Sequence, residues 1–399
     1  MPKLASKNQC TGCSACVSVC PKQCIYMKRD VEGFVYPKIK NDSLCISCGV
    51  CERVCPVLNQ NNHDKVLTKA YAAFSKNEQL RMESSSGGVF SEIAKIILQE
   101  NGIVYGASYN ENGIVQHIYI DDIKGIKKIR GAKYSQSDMN NSFQVIKSQL
   151  ISGRKVLFSG TPCQVAGLKS FLEKDFDNLF CIDFVCHGVP SPMVWEQYLK
   201  YRRSIDKSSK VPEYINLRNK ESGWSRYSYS VEFIYSNKTR YFCSNQNDPF
   251  MRLFVDNYIL RKSCSNCQFK GYSRVSDITL GDFWGIWDIS SSMDDNKGTS
   301  LVLIHNVKGE KMFRAISSNI KSSQVTLEQA SMMNPSLLQS AIPQPGRDKV
   351  LSGIIQNGFE TIIPIFQSKE SVKNVLSIKI RKFFCHIKNR VSDVRNNVK

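Results

Sequence analysis

No stretch of this chain approaches the run of about 20 apolar residues needed to cross a bilayer. An export signal is also lacking: Met1 to Gln9 carries two lysines and no apolar segment, so a secreted product is not expected. Acidic residues are scarce, with 35 Asp and Glu against 54 Lys and Arg, for a formal charge of +19. Such a balance suggests nucleic acid, yet the basic residues are spread along the chain and concentrate only at its C-terminus. Nucleic acid is therefore not expected. An acidic redox partner, an anionic cofactor or a membrane surface accounts for the charge more economically. Cysteine, in contrast, is plentiful: 16 in 399 residues. In a chain without an export signal they imply a reducing, cytoplasmic compartment, where thiols act as ligands rather than disulfides.

Eight of those cysteines fall in two copies of one pattern, Cys10-Thr-Gly-Cys13-Ser-Ala-Cys16-Val-Ser-Val-Cys20-Pro21 and Cys45-Ile-Ser-Cys48-Gly-Val-Cys51-Glu-Arg-Val-Cys55-Pro56. Three closely spaced thiolates grip three irons of one cubane, while the fourth, before the proline, points away and ligates the other cluster. Cys10, Cys13, Cys16 and Cys55 are thus assigned to one 4Fe–4S cluster, and Cys45, Cys48, Cys51 and Cys20 to a second. Zinc or a disulfide framework fits poorly, because zinc sites use C-x2-C pairs rather than triplets followed by C-P. Each cluster also carries net negative charge that the formal count omits. Cys24, just past the first motif, reads as a small buried side chain, since both cores are already complete.

Residues 59–65 are polar and read as a linker. Beyond them, Ser84-Ser-Ser86-Gly87-Gly88 precedes a helical apolar pattern from Val89 to Ile97. Glycines there would let a phosphate approach the helix N-terminus, and a plain serine-capped helix explains the same residues. Arg130-Gly-Ala-Lys133-Tyr134 is a small basic loop or a solvated turn. The strand at 155–160 runs into Thr161 and Pro162, a fitting N-cap and first helical residue. Cys163 in that first turn is expected to have a lowered thiol pKa. Cys186 ends another buried strand, in which Cys181 is a core residue. Cys264-Ser-Asn-Cys267 alone suits a redox pair, a zinc half-site or a cluster half-site. With Cys163 and Cys186 it makes the four thiols a third cluster needs. The last thirty residues interleave Lys379, Arg381, Lys382 and Lys388 with Ile378, Phe383, Phe384 and Ile387. That suits an amphipathic helix on an anionic membrane or a partner, or a solvated tail.

In chain order, the dicluster motif is followed by Ser85-Ser-Gly-Gly88, Gly131-Ala-Lys-Tyr134, Ser159-Gly-Thr-Pro-Cys163-Gln164, Cys186-His-Gly-Val-Pro-Ser191, Cys264-x2-Cys267-x-Phe-Lys270 and Ser276-Asp-Ile-Thr-x-Gly-Asp-Phe-Trp-Gly285. Over roughly residues 1–310 this series resembles the coenzyme F420 hydrogenase/dehydrogenase beta-subunit family. The resemblance implies an α+β chain: a ferredoxin-like 2×4Fe–4S module at 1–58, then an α/β flavin-binding domain with a mixed sheet. That domain divides into an N-terminal part at 66–148 and a C-terminal flavin and cluster part at 149–310, leaving 311–399 as a helical extension with the basic tail.

The same resemblance implies FAD, lined by Ser86, Gly87, Gly88, Lys133, Thr161 and Gln164, with Cys163, Cys186, Cys264 and Cys267 holding a third 4Fe–4S cluster beside it. Clusters move one electron and a deazaflavin or nicotinamide takes a hydride; a flavin handles both and sits between them. No separate general acid or base is expected. The expected protein is a flavin-dependent iron–sulfur oxidoreductase, served by a redox partner protein or ferredoxin. It would act on coenzyme F420 or, in a glycan-biosynthesis variant working with glycan-assembly enzymes, on another organic acceptor. The alternative is a non-catalytic electron-transfer subunit of a larger redox complex. The tail adds an expected peripheral contact with the inner face of the membrane.

Overall fold

A computed structural model describes residues 2–40, 42–59 and 68–364. All but the first residue of the expected linker, and the basic tail from Lys373 onward, lie outside these residues. The N-terminal module is shaped by turns rather than by a large core. Strands β1 (Ile25–Arg29) and β2 (Val35–Ile39) pair antiparallel. The Asp30 carboxylate closes their turn by accepting the Glu32 and Phe34 N–H groups at 3.0 and 3.1 Å. Helices α1 (Ala15–Val19) and α2 (Val50–Arg53) each start from a left-handed residue, Ser14 at φ +69° and Gly49 at φ +71°. Gly12 (φ +72°) and Ser47 (φ +54°) repeat the same conformation two residues earlier. Left-handed residues set between right-handed ones turn successive N–H groups into a concavity that receives anions.

The larger body is built on one sheet. Its strands are β3 (Lys69–Ser75), β4 (Ile103–Tyr109), β5 (Val115–Ile120), β6 (Val156–Ser159) and β7 (Leu179–Phe184). After a separate antiparallel sheet of β8 (Tyr214–Asn219), β9 (Ser230–Ile234) and β10 (Arg240–Ser244) come β11 (Ile278–Asp282), β12 (Ser300–Ile304) and β13 (Ile320–Val325). The order across the large sheet is β13-β3-β12-β11-β7-β6-β4-β5. Strands β4, β6, β7 and β11 are parallel, while β5, β12 and β13 run against their neighbours.

Alternation along each strand decides the two faces. Val104, Leu157, Ile182 and Val302 pack with helices α3 (Val89–Gln99) and α8 (Val307–Ala315). Ile103, Val156, Phe158 and Cys181 face α4 (Ser142–Ile151) and α5 (Pro162–Leu172) on the other side. Covered on both faces, these strands read as continuous apolar runs. A further core forms where α6 (Pro192–Ile205), α7 (Pro249–Val255) and α9 (Arg347–Asn357) cover the small sheet.

The chain is therefore a mixed α+β protein with a large mixed sheet and an N-terminal 4Fe–4S module. Two expectations need correction. Stretches 66–148, 149–310 and 311–399 all give strands to the one sheet, so they share a core. Nor is the last stretch wholly helical: β13 pairs with β3. It is an edge strand reading Ile-Lys-Ser-Ser-Gln-Val, too polar to announce itself by apolar pattern. Among the described residues, no helix is long and apolar enough to cross a membrane.

Candidate metal centres

In the N-terminal module, Cys10, Cys13, Cys16 and Cys55 line one cavity of about 430 Å³, open mouth included, with Cys51 in its wall. Cys20, Cys45, Cys48 and Cys51 line a second of about 350 Å³. Each triplet is thus met by the last cysteine of the other repeat, because α1 and α2 pack side by side. Cys24 is buried, as expected, yet it is no bystander: it lines the second cavity with its sulfur 3.4 Å from that of Cys20. Among the described residues, no three His, Cys, Asp or Glu side chains converge on one ion position. A zinc ion needs its thiolates about 2.3 Å from a single point, whereas a cubane offers a separate iron at each corner.

A third cavity of about 480 Å³ lies at the carboxyl ends of the parallel strands and is lined by Cys163, Cys186, Cys264 and Cys267. Adjacent strands bring the first two together: α5 follows β6 and starts at Pro162, while Cys186 lies just past β7. The 264–267 turn is held by the Val189 N–H donating to the Cys264 sulfur at 3.4 Å and by the Cys267 N–H donating to Ser340 Oγ at 2.9 Å. The wall is cationic, with Arg261, Lys270 and Arg274. Arg274 is buried, and neither terminal nitrogen has a hydrogen-bond acceptor. Its one ion pair, Nη1 to Asp183 Oδ2 at 3.5 Å, is too long for a hydrogen bond. Such an orphaned cation beside four thiols fits an anionic, thiolate-held cluster.

The helix start does not lower the Cys163 thiol as expected. Burial raises it and outweighs the Thr161 hydroxyl, 3.1 Å from its sulfur. Burial likewise pushes Cys186 and Cys264 up to about 12, against the Lys270 charge at the first and the Val189 N–H at the second. Thiols held this way keep their protons until a metal displaces them.

The first and third cavities are neighbours, since Thr11 lines both. They meet where α1 lies on α5. The residues that make this junction, Thr11, Gly167 and Arg261, carry no motif, and sequence reasoning misses them. The one sign that could have found them is a glycine inside a helical pattern.

The expected flavin residues lie along the same carboxyl edge but are largely occupied. Gly88, not serine, caps α3, at φ +86° with no side-chain bond. Ser86 Oγ donates to the Thr299 carbonyl at 3.0 Å. A Cβ on Gly87 would run into the Ala73 carbonyl and stand 2.8 Å from Ser300 N. Close packing on the sheet, rather than an approaching phosphate, therefore accounts for that glycine. Thr161 and Gln164 form a reciprocal capping box: Thr161 N–H donates to Gln164 Oε1 at 2.9 Å, and Gln164 N–H to Thr161 Oγ1 at 3.4 Å. Lys133 Nζ donates to the Arg130 carbonyl at 2.7 Å, and burial takes its pKa down to about 7. An unforeseen group at this edge is Arg218, paired with Asp282 at 2.9 Å and 3.9 Å over the Tyr229 ring, with Nε lacking an acceptor.

Fold and sites define an iron–sulfur redox protein. Residues 9–59 match the 4Fe-4S dicluster domain, and residues 153–329 match the family described as the C terminus of the coenzyme F420 hydrogenase/dehydrogenase beta subunit. The chain belongs to that beta-subunit family and carries the dicluster module ahead of it. Among solved structures, it is similar to a chain of the xenon-derivatised F420-reducing NiFe hydrogenase complex from Methanosarcina barkeri. Identity is 14%, the match covers 79% of this chain and 92% of that one, and the TM-score is 0.43. A likeness that loose says nothing about activity. No curated protein matches.

Proposed function

We propose that the chain is an oxidoreductase that relays electrons through three 4Fe–4S clusters to an FAD-coupled, two-electron acceptor. Cys10, Cys13, Cys16 and Cys55 would hold the first cluster, Cys20, Cys45, Cys48 and Cys51 the second, and Cys163, Cys186, Cys264 and Cys267 the third. The reading rests on one observation: these cysteines gather into three cavities, the first and third walled by the same Thr11. The order follows from it: electrons from a ferredoxin or other redox partner enter at the second cluster, pass to the first, and cross at Thr11 to the third. Bound at the carboxyl edge, FAD would supply the conversion of single electrons into a hydride. Ser86 to Gly88 and Lys133 wall that edge, and Arg218 offers a buried cation to a phosphate or ring oxygen.

Anaerobically purified protein should contain about twelve irons per chain and equimolar FAD. Exchanging Cys264→Ser and Cys267→Ser should lower iron to about eight. A parent protein that never exceeds about eight overturns the three-cluster reading. Acceptors to screen with reduced ferredoxin are coenzyme F420, which the family name points to, and oxidised glycan-assembly intermediates. The basic tail is assigned a peripheral lipid contact, tested by deletion after Gln367 and sedimentation with anionic liposomes.

One observation favours a second reading. Thr161, Gln164 and Gly87 already have full structural employment, as expected of a non-catalytic electron-transfer subunit. About twelve irons without flavin would select it.

A further inference from the structure

Arg261 is 1% exposed and is fully engaged, yet its acceptors are neutral. Nε donates to the Cys10 carbonyl at 2.8 Å, Nη2 to the Val35 carbonyl at 3.0 Å, and Nη1 to Gln136 Oε1 at 3.1 Å. The guanidinium lies 4.0 Å over the Tyr36 ring. Among the described residues it forms no ion pair with a carboxylate. A buried guanidinium without an opposing charge is costly, so its counter-charge must come from something else within reach. Two candidates are. Nη2 stands 3.9 Å from the Cys10 sulfur, in the first site. The same residue lines the third cavity, and its carbonyl accepts the Cys264 N–H at 3.0 Å. It does not line the second cavity.

We infer that Arg261 is the shared counter-charge of the first and third clusters, raising the reduction potential of both and leaving the second untouched. The inference rests on the three-cluster reading above. Its physics is direct. Each added electron makes a cluster more negative, and cluster potentials respond to net charge and to hydrogen bonds at the sulfurs. A fixed cation in a dry interior therefore favours the reduced state, more strongly than it would in water. Placed between two clusters, one cation ties their potentials together. It also pins the N-terminal module to the body, because its donors hold the Cys10 and Val35 carbonyls of that module.

Two variants test it, each followed by redox titration with EPR detection of the individual clusters. Arg261→Met removes the charge. Gln136→Glu keeps Arg261 and sets a carboxylate against it, at a side chain whose Nε2 is buried and has no partner to lose. In both, iron should stay at about twelve per chain. The first and third potentials should each fall by about 59 mV or more, a tenfold weaker reduction for a one-electron couple, and the second should hold still. Should Arg261→Met fail to load its clusters, Gln136→Glu decides alone. Full iron with unmoved potentials, or a fall confined to one cluster, overturns the inference and leaves the three-cluster reading standing. A parent protein with about eight irons sinks both.

Discussion

Gly167 of α5 lies directly beneath Cys13: a Cβ at position 167 would stand 2.9 Å from both the Cβ and the sulfur of that cysteine. The absent side chain is what lets the N-terminal module settle onto the body at the first cluster. Gly167→Ala would gain about 1 kcal/mol of helix propensity and lose about 1–3 kcal/mol to overpacking. Net stability should change little, so stability is the wrong measurement. Electron passage is the right one: with iron content unchanged, freeze-quench EPR should find the third cluster reduced more slowly after the N-terminal module. An unaltered rate would mean that this junction is not the route.

Thr161 separates a capping role from a flavin contact. Thr161→Ala removes one half of the capping box at α5, which should cost about 1 kcal/mol and lower the thermal midpoint. A drop in bound flavin with no change in midpoint would reassign the residue to the cofactor.

Gly87 and Gly88 fail for different reasons when substituted. Gly87→Ala drives a methyl into the backbone of β3 and β12, neither of which can swing aside, and should destabilise by about 1–3 kcal/mol or more. Gly88→Ala must hold an alanine at φ +86°, a cost of about 1–2 kcal/mol. Urea unfolding of both variants checks the pair. Two neutral substitutions would return this turn to the status of an open, ligand-facing loop.

His117 should make the protein acid-sensitive. Its Nε2 lies 3.0 Å from the Ser159 carbonyl and so carries the hydrogen, leaving Nδ1 to accept from Ser137 Oγ at 2.7 Å. Burial lowers its pKa from 6.5 to about 4. Between those values the unfolded chain takes up a proton that the folded chain refuses, so stability is complete above pH 6.5 and declines as pH falls toward 4. The decline at pH 5 amounts to about 2 kcal/mol. His117→Gln should flatten that part of the stability profile. Since both proteins share whatever acid does to the clusters, an equal slope in the two would dismiss the histidine as its source.

What could be read without coordinates was whatever chemistry lies close together along the chain. The ligands of the dicluster module are spaced within a dozen residues of one another, and left-handed turns at Gly12 and Gly49 follow from the same short motifs. Strands buried on both faces announced themselves as apolar runs, while the polar edge strand β13 did not. Cys163, Cys186 and Cys264 were joined only by resemblance, because nothing local links them. It took neighbouring parallel strands and a returning loop to gather them. Arg261 was invisible for a deeper reason: a cation's role depends on what is buried around it, and burial belongs to the folded chain, not to any stretch of sequence.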